Sequence, residues 1–279
     1  MVAPTLAPQW FAPPSRAAWF VERLWVARTP AGLPPEVLVA DGRPTVEVRL
    51  AGAATLADPF SRVRTPVVSA VHGLRTVPVV LDQPGGSWTV GARLAPYGLL
   101  PLLPGRALVD DSAPLGECLG LDEAGLAERL RGATDDAQAA ALLAEALTDV
   151  VRRPTPAEQL DLVRAVVREI DAERGLVRPV DLVRSLGRST AVLHKVVSDE
   201  IGVTLRTLLA VSRFSHAVRD LAGLEPDARG GYPGAPVAGV LRRYVDAAYP
   251  AREVERFTGL EPLDLRRMVR GIEELVAVG

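Results

Sequence analysis

The side chains best able to do chemistry here are cations in the second half of the chain. Two segments, 180–204 and 237–262, share one layout: a short helix and a tight turn lead to a second short helix, then to glycine and a longer helix. This layout is typical of helix-turn-helix geometry, in which the second helix can enter a major groove. Arginine suits that position because its planar fork can pair with two acceptors on guanine.

Nine residues around these two units are the candidate DNA contacts. For any single arginine, a solvated surface role beside a nearby acid is the simpler interpretation. The set favours DNA because the two units place some of its members near the same groove entrances. The candidates are Arg188, Ser189, Thr190, His194, Lys195, Arg206, Arg213, Arg252 and Arg256.

No recognisable catalytic or metal-binding pattern accompanies them, so we predict a protein that is not an enzyme and needs no metal or cofactor. Cys118 lies among leucines and glycines, where a small buried apolar side chain is the plain interpretation. The three histidines are scattered without metal-ligand spacing. Asp110–Asp111 and Asp135–Asp136 fit turns and helix caps better than acid–base pairs.

Composition narrows the class of protein. The 279 residues are 48% hydrophobic and carry a net charge of −2, which suits about two globular domains and gives no global attraction to nucleic acid or lipid. A single cysteine excludes an internal disulfide framework. We find no run of apolar residues long enough for a membrane helix and no charged secretory start, so we expect a cytoplasmic protein without membrane contact.

The predicted fold class is α+β, with three units. Residues 1–112 carry short strand-like stretches separated by turns, which indicate a small barrel or sandwich, with one possible helix at 15–24. Residues 113–154 form a helical connector, and residues 155–279 an all-α unit in which Thr155–Pro156 starts the first helix and 223–235 is a flexible loop. Strands are predicted at 20–26, 45–50, 66–71, 74–81 and 88–92, and helices at 123–132, 135–152, 179–186, 190–200, 205–221, 236–243, 249–257 and 262–276.

The segment from about residue 175 to 270 resembles the two-motif DNA-binding domain of AraC-type transcriptional regulators. The matching stretches are 182–189, 202–214 and 244–262, notably Arg256-Phe257-Thr258-Gly259-Leu260-Glu261-Pro262. The front is similar to a sensor-type domain found before some of these regulators, on Val39-Ala40-Asp41-Gly42, Val90-Gly91-Ala92-Arg93-Leu94-Ala95-Pro96-Tyr97-Gly98 and 111–120. The resemblance implies a bacterial one-component regulator that binds operator DNA under control of a small effector. It also implies a homodimer through 123–152, although those leucines could equally cover the barrel of the same chain.

The chain departs from the family pattern at both recognition helices. Over residues 190–197 the first offers only His194 and Lys195 as charged or titratable groups, where arginines are usual, and the second is preceded by Pro250. These departures favour an alternative: a descendant that has lost sequence-specific DNA binding and serves ligand binding or protein association.

An effector site is expected in the front unit. Ligand pockets pair apolar walls with a few polar anchors. Trp25, Arg49, Arg93 and Tyr97 are the candidates for an apolar or aromatic effector, with core packing of the large rings as the competing interpretation.

Overall fold

The protein has an α+β fold, as the sequence predicts, with antiparallel sheets in the front half followed by helices. The computed structural model describes residues 8–31, 33–104, 106–151, 157–227 and 230–277. The predicted helix start at Thr155–Pro156 lies outside the described residues. The described strands are β1 (Gln9–Phe11), β2 (Val21–Thr29), β3 (Glu36–Leu38), β4 (Thr45–Ala51), β5 (Thr55–Ala57), β6 (Arg64–Pro66), β7 (Ala70–His72), β8 (Val79–Asp82), β9 (Ser87–Leu94), β10 (Ser112–Pro114) and β11 (Gly231–Pro233).

The strands form two antiparallel sheets. One sheet has the order β1-β2-β9-β4-β7-β10, and the other has the order β11-β3-β8-β5-β6. In β4, Val46, Val48 and Leu50 alternate along the strand and lie in the front core, as period-2 patterning requires. At the centre of the first sheet, Gly91 lies opposite Trp25, and any Cβ at position 91 would overlap the Trp25 indole.

The helices follow local signals closely. The described ones are α1 (Leu115–Leu119), α2 (Glu123–Arg131), α3 (Asp136–Asp149), α4 (Ala157–Ala172), α5 (Pro179–Leu186), α6 (Thr190–Ile201), α7 (Leu205–Ala222), α8 (Gly234–Asp246), α9 (Ala251–Thr258) and α10 (Pro262–Ala277). Ser189 and Thr204 cap α6 and α7, since their hydroxyls accept from the amides of Val192 and Thr207. Gly202, at φ +85°, ends α6 in the left-handed conformation that favours glycine.

The leucines of the connector are buried within the chain. Leu126, Leu130, Leu143 and Leu147 of α2 and α3 pack into the front core that also contains Val48. The structure therefore uses them to cover the first sheet, which was one of the two roles the sequence left open.

A second core joins the two halves of the chain. Val37 and Val80 of the second sheet pack in one cluster with Val237 of α8 and with Met268 and Ile272 of α10. The helical half thus rests directly on strands of the front half. The division of the chain into three units, at 1–112, 113–154 and 155–279, stays a prediction.

The strands predicted at 66–71 and 74–81 are only partly formed, since 67–69 and 75–78 lie outside strands. Two further sequence predictions are wrong. The helix expected at 15–24 is a run of turns over 15–20 followed by β2, because the strand pairs along its length with β9. The flexible loop expected at 223–235 contains β11, which pairs with β3 and buries Tyr232 to 2% exposure. The second half is therefore not purely helical, since burial of Tyr232 against the front sheet holds this glycine-rich segment in an extended form.

Candidate nucleic-acid interface

The two segments predicted as helix-turn-helix units lie in the second half and are helical: the first comprises α5 and α6, and the second α8 and α9. In α6, Leu193 and Val197 are buried while Thr190, His194 and Lys195 are exposed. In α9, Val254 and Thr258 face the core. Each second helix therefore has a free face on which its candidate contacts lie.

Four of the predicted DNA contacts converge on one cleft, which we call the arginine cleft. Arg206 and Arg213 of α7 form one wall with Arg252 and Arg256 of α9. Thr76 of the front half also lines the cleft, which has a volume of about 540 Å³. Glu255 is the only carboxylate among its described lining residues. The cleft is cationic in a chain whose net charge is −2.

The four arginines of the cleft differ in their ion-pair and hydrogen-bond partners. Arg206 forms an ion pair with Glu255. The Arg213 guanidinium donates from Nε to the carbonyl of Arg256 at 2.6 Å and from Nη1 to the carbonyl of Gly175 at 2.8 Å. Within the part of the chain that the structure describes, the side chains of Arg252 and Arg256 have no ion-pair partner. These two remain available for an external anion.

Like charges are crowded around Arg213. Burial lowers the pKa of its guanidinium, and the neighbouring charges of Arg256 and Arg206 lower it further. Bringing these cations together is unfavourable without an anion between them. A phosphate in the cleft would relieve the repulsion and accept charge-assisted hydrogen bonds.

The first helix-turn-helix unit lacks such a surplus of charge. The Lys195 ammonium lies 2.7 Å from Asp199, and hydrogen bonding to that carboxylate raises the lysine pKa. Arg188 lies 3.4 Å from Glu158, and Ser189 serves as the cap of α6. The exposed face of α6 is therefore almost neutral, whereas the arginine cleft beside α9 holds four arginines against one carboxylate among its described lining residues.

The predicted effector residues are not brought together. Trp25 is fully buried, with Trp10 edge-on to its ring at 6.5 Å between centroids. Arg49 forms a buried ion pair with Glu47 at 2.7 Å. Arg93 is bound to Asp41 at 2.5 Å, and Tyr97 receives a hydrogen bond of 3.3 Å from Arg164 on α4. Among the four, only Arg93 lines the polar cleft that we describe next.

This second cleft, the junction cleft, lies where the front sheet meets α4 and α7. Sequence reasoning missed most of its residues, although Ser212, His216 and Arg219 have the spacing of one helix face. Burial lowers the pKa of His216, as do Arg219 and Arg174, so its ring is neutral near pH 7. Burial raises the pKa of Tyr232, which lines the same cleft, to about 12.

Metal binding and membrane crossing are two further possibilities for the described residues. In that part of the chain, no cluster of three or more histidine, cysteine, aspartate or glutamate side chains is suited to holding a metal ion. No helix there is both long and apolar enough to cross a bilayer.

Comparisons with known proteins give distant likenesses only. No family model matches the chain, and no curated protein matches it in sequence. Among solved structures it is similar to ToxT from Vibrio cholerae O395, at 14% identity and TM-score 0.40 over 89% of this chain and 98% of that one. It is also similar to that protein bound to (E)-4-(8-methylnaphthalen-1-yl)but-3-enoic acid, at 10% identity and TM-score 0.37 over 94% and 99% of the two chains.

A third solved structure is the AraC-like transcriptional activator CuxR, at 18% identity and TM-score 0.29 over 68% of this chain and 74% of that one. TM-scores this low do not establish a shared fold.

Proposed function

We propose that the chain is a one-component transcriptional regulator that binds operator DNA through its two helix-turn-helix units and responds to a small effector bound in its front half. The observation that carries this proposal is the arginine cleft. Its four cations lie together at the free face of α9, and Arg252 and Arg256 are left without an ion-pair partner in the described residues.

The placement of these arginines suits a DNA backbone. Arg252 and Arg256 are four residues apart and therefore share one face of α9, away from buried Val254 and Thr258. Arg206 and Arg213 extend the cationic surface along α7. Phosphate contacts supply much of the affinity of DNA-binding proteins, so a concentrated patch can act even in a chain that is slightly acidic overall.

The direct test is selection of bound duplexes from a random DNA pool by the full chain at moderate salt. We expect a consensus sequence to emerge, and a gel shift to show preference for that sequence over bulk DNA. If no sequence is preferred over bulk DNA, the regulator proposal is wrong. Light scattering of the DNA-free chain tests the homodimer that the resemblance implies. The site of action of such a regulator is the bacterial cytoplasm, where its DNA lies.

A second candidate function has its own supporting observation. The three cations of the first unit, Arg184, Arg188 and Lys195, all lie beside acids. The exposed face of α6 offers no arginine or lysine other than Lys195. A descendant that has lost sequence-specific DNA binding and works as a ligand-binding or protein-interaction module would have such a face. In that case the random-pool selection gives no consensus although the chain is folded and binds its ligand.

A further inference from the structure

The junction cleft has the features of a built polar site. Its volume is about 520 Å³, and it is lined by α7, by the end of α4, by front-half strands and by Tyr232 of β11. On α7, the polar residues Ser212, Ser215, His216 and Arg219 form one stripe that faces the cleft. None of them belongs to the arginine cleft.

The Ser212 hydroxyl is the first sign that a ligand belongs here. Ser212 is 5% exposed, and its Oγ has no hydrogen-bond partner in the described residues. A buried hydroxyl left unpaired is costly, because desolvation is not offset by a new hydrogen bond. Because Oγ itself is closed to solvent, a rotation of the Ser212 side chain would be needed to turn it to a ligand acceptor in the cleft.

His216 and Arg219 add donors beside that hydroxyl. Arg219 Nη2 donates to His216 Nδ1 at 2.9 Å, which leaves the proton of the neutral ring on Nε2. That Nε2–H has no partner among the described residues. Hydroxyl, imidazole N–H and guanidinium together are suited to an acceptor with two oxygens, such as a carboxylate.

The remaining charges of the cleft are nearly balanced. Arg43 lies 2.5 Å from Asp171 and 3.4 Å from Glu22, while Arg93 is bound to Asp41. These pairs offset most of one another's charge. Two further arginines line the cleft: Arg23, whose guanidinium lies over the Trp10 ring, and Arg219 on α7.

Glu225 contributes a negative charge to the lining of the junction cleft. It is exposed and has no ion-pair partner in the described part of the chain. Asp227 also lines the cleft and accepts from the Gly231 amide. A cleft that offers the cation of Arg219 and the carboxylate of Glu225 matches a molecule that carries both charges.

We propose that the junction cleft binds a free α-amino acid as its zwitterion. The carboxylate accepts from Ser212, His216 and Arg219, and the ammonium group lies toward Glu225. This names the effector class and the effector site of the proposed function, in place of an apolar or aromatic effector. Binding of the amino acid does not itself require DNA, so the two proposals can fail separately.

The test is a thermal-shift screen of the full chain with each standard L-amino acid in turn, followed by calorimetry on the one with the largest shift. We expect at least one to raise Tm by several degrees, because a ligand that binds only the folded state stabilises it. The matching amine without the carboxylate, and the matching acid without the ammonium group, should bind about tenfold more weakly or worse, as expected for loss of a charge-assisted contact.

Two variants and a control tie the shift to this cleft. Ser212→Ala and Arg219→Gln should each lose the shift, whereas Ser198→Ala, on the exposed face of α6, should keep it. Unliganded Ser212→Ala should melt no lower than the parent chain, because it removes an unpaired hydroxyl, so a lost shift does not report misfolding.

The proposal is overturned if no standard amino acid raises Tm, if both cleft variants keep the full shift, or if the deaminated acid binds as well as the amino acid. A chain that binds an amino acid but selects no DNA would refute only the regulator proposal.

Discussion

Replacing Arg252 and Arg256 together by glutamine tests the arginine cleft most sharply. Glutamine keeps a polar chain but removes the charge, and neither arginine has an ion-pair partner to lose among the described residues. Arg213 is committed to two carbonyls and Arg206 to Glu255, so the double variant removes the two cations that are free for phosphate. We therefore expect folding to be unaffected and DNA affinity to fall.

The size of the effect follows from counterion release. Each phosphate neutralised contributes about −0.9 to the slope of log K against log salt concentration. Loss of two contacts should make the slope of the double variant shallower by about 1.8. Because phosphate contacts carry no sequence information, the weakening should be similar for the selected duplex and for unrelated duplexes.

Fluorescence anisotropy of a labelled duplex across a salt series gives these slopes directly. The matched control is Arg16→Gln with Arg129→Gln, which removes two exposed front-half arginines that have no ion pair within the described residues. An unchanged slope in the Arg252 and Arg256 variant, or an equal change in the control, would refute the assignment of the cleft to DNA.

Two further substitutions test the packing of Gly91 against Trp25 and the effect of His216 protonation on stability. Gly91→Ala should lower the free energy of unfolding by about 1–3 kcal/mol through overpacking against Trp25, measured by urea denaturation; unchanged stability would contradict that close packing. Burial and Arg219 hold the pKa of His216 below its ordinary value in the folded state, so the unfolded chain takes up this proton first and stability declines as pH falls below about 6.5. His216→Gln should flatten part of that decline in denaturation series at several pH values, and parallel curves for variant and parent would contradict it.

The helices of the second half could be predicted because their boundaries are set locally. Ser189 and Thr204 cap the helices that the sequence assigned to them, and Pro179 begins α5. A cap is a contact between residues two or three apart, so its signal lies within a few letters of sequence.

The strands were harder because pairing is a long-range property. β3 and β5 have three residues each, too few to show alternation, and β11 exists because a segment near the middle of the second half reaches back to β3. The effector residues failed to converge for the same reason. Strand alternation places Glu47 and Arg49 on one side of β4, but the sequence does not reveal that this pair is buried and mutually satisfied.

The two clefts could be anticipated only in part. Spacing places Arg252 with Arg256 on α9, and Ser212 with His216 on α7. Which of these helix faces meet each other depends on how α7 packs against α9 and against the front sheet. Such tertiary contacts cannot be read from a single sequence.

The position of α7 gives the two proposed sites a common element. Arg206 and Arg213 lie on its face toward α9, while Ser212 and His216 lie on its face toward the front sheet. A ligand in the junction cleft affects DNA binding only to the extent that it binds the DNA-competent arrangement of α7 and α9 better or worse than the alternative. By linkage, the factor by which an amino acid changes DNA affinity must equal the factor by which DNA changes amino-acid affinity. A factor other than one shows that the two sites are coupled, whereas a factor of one shows that they are independent although they occupy the same helix.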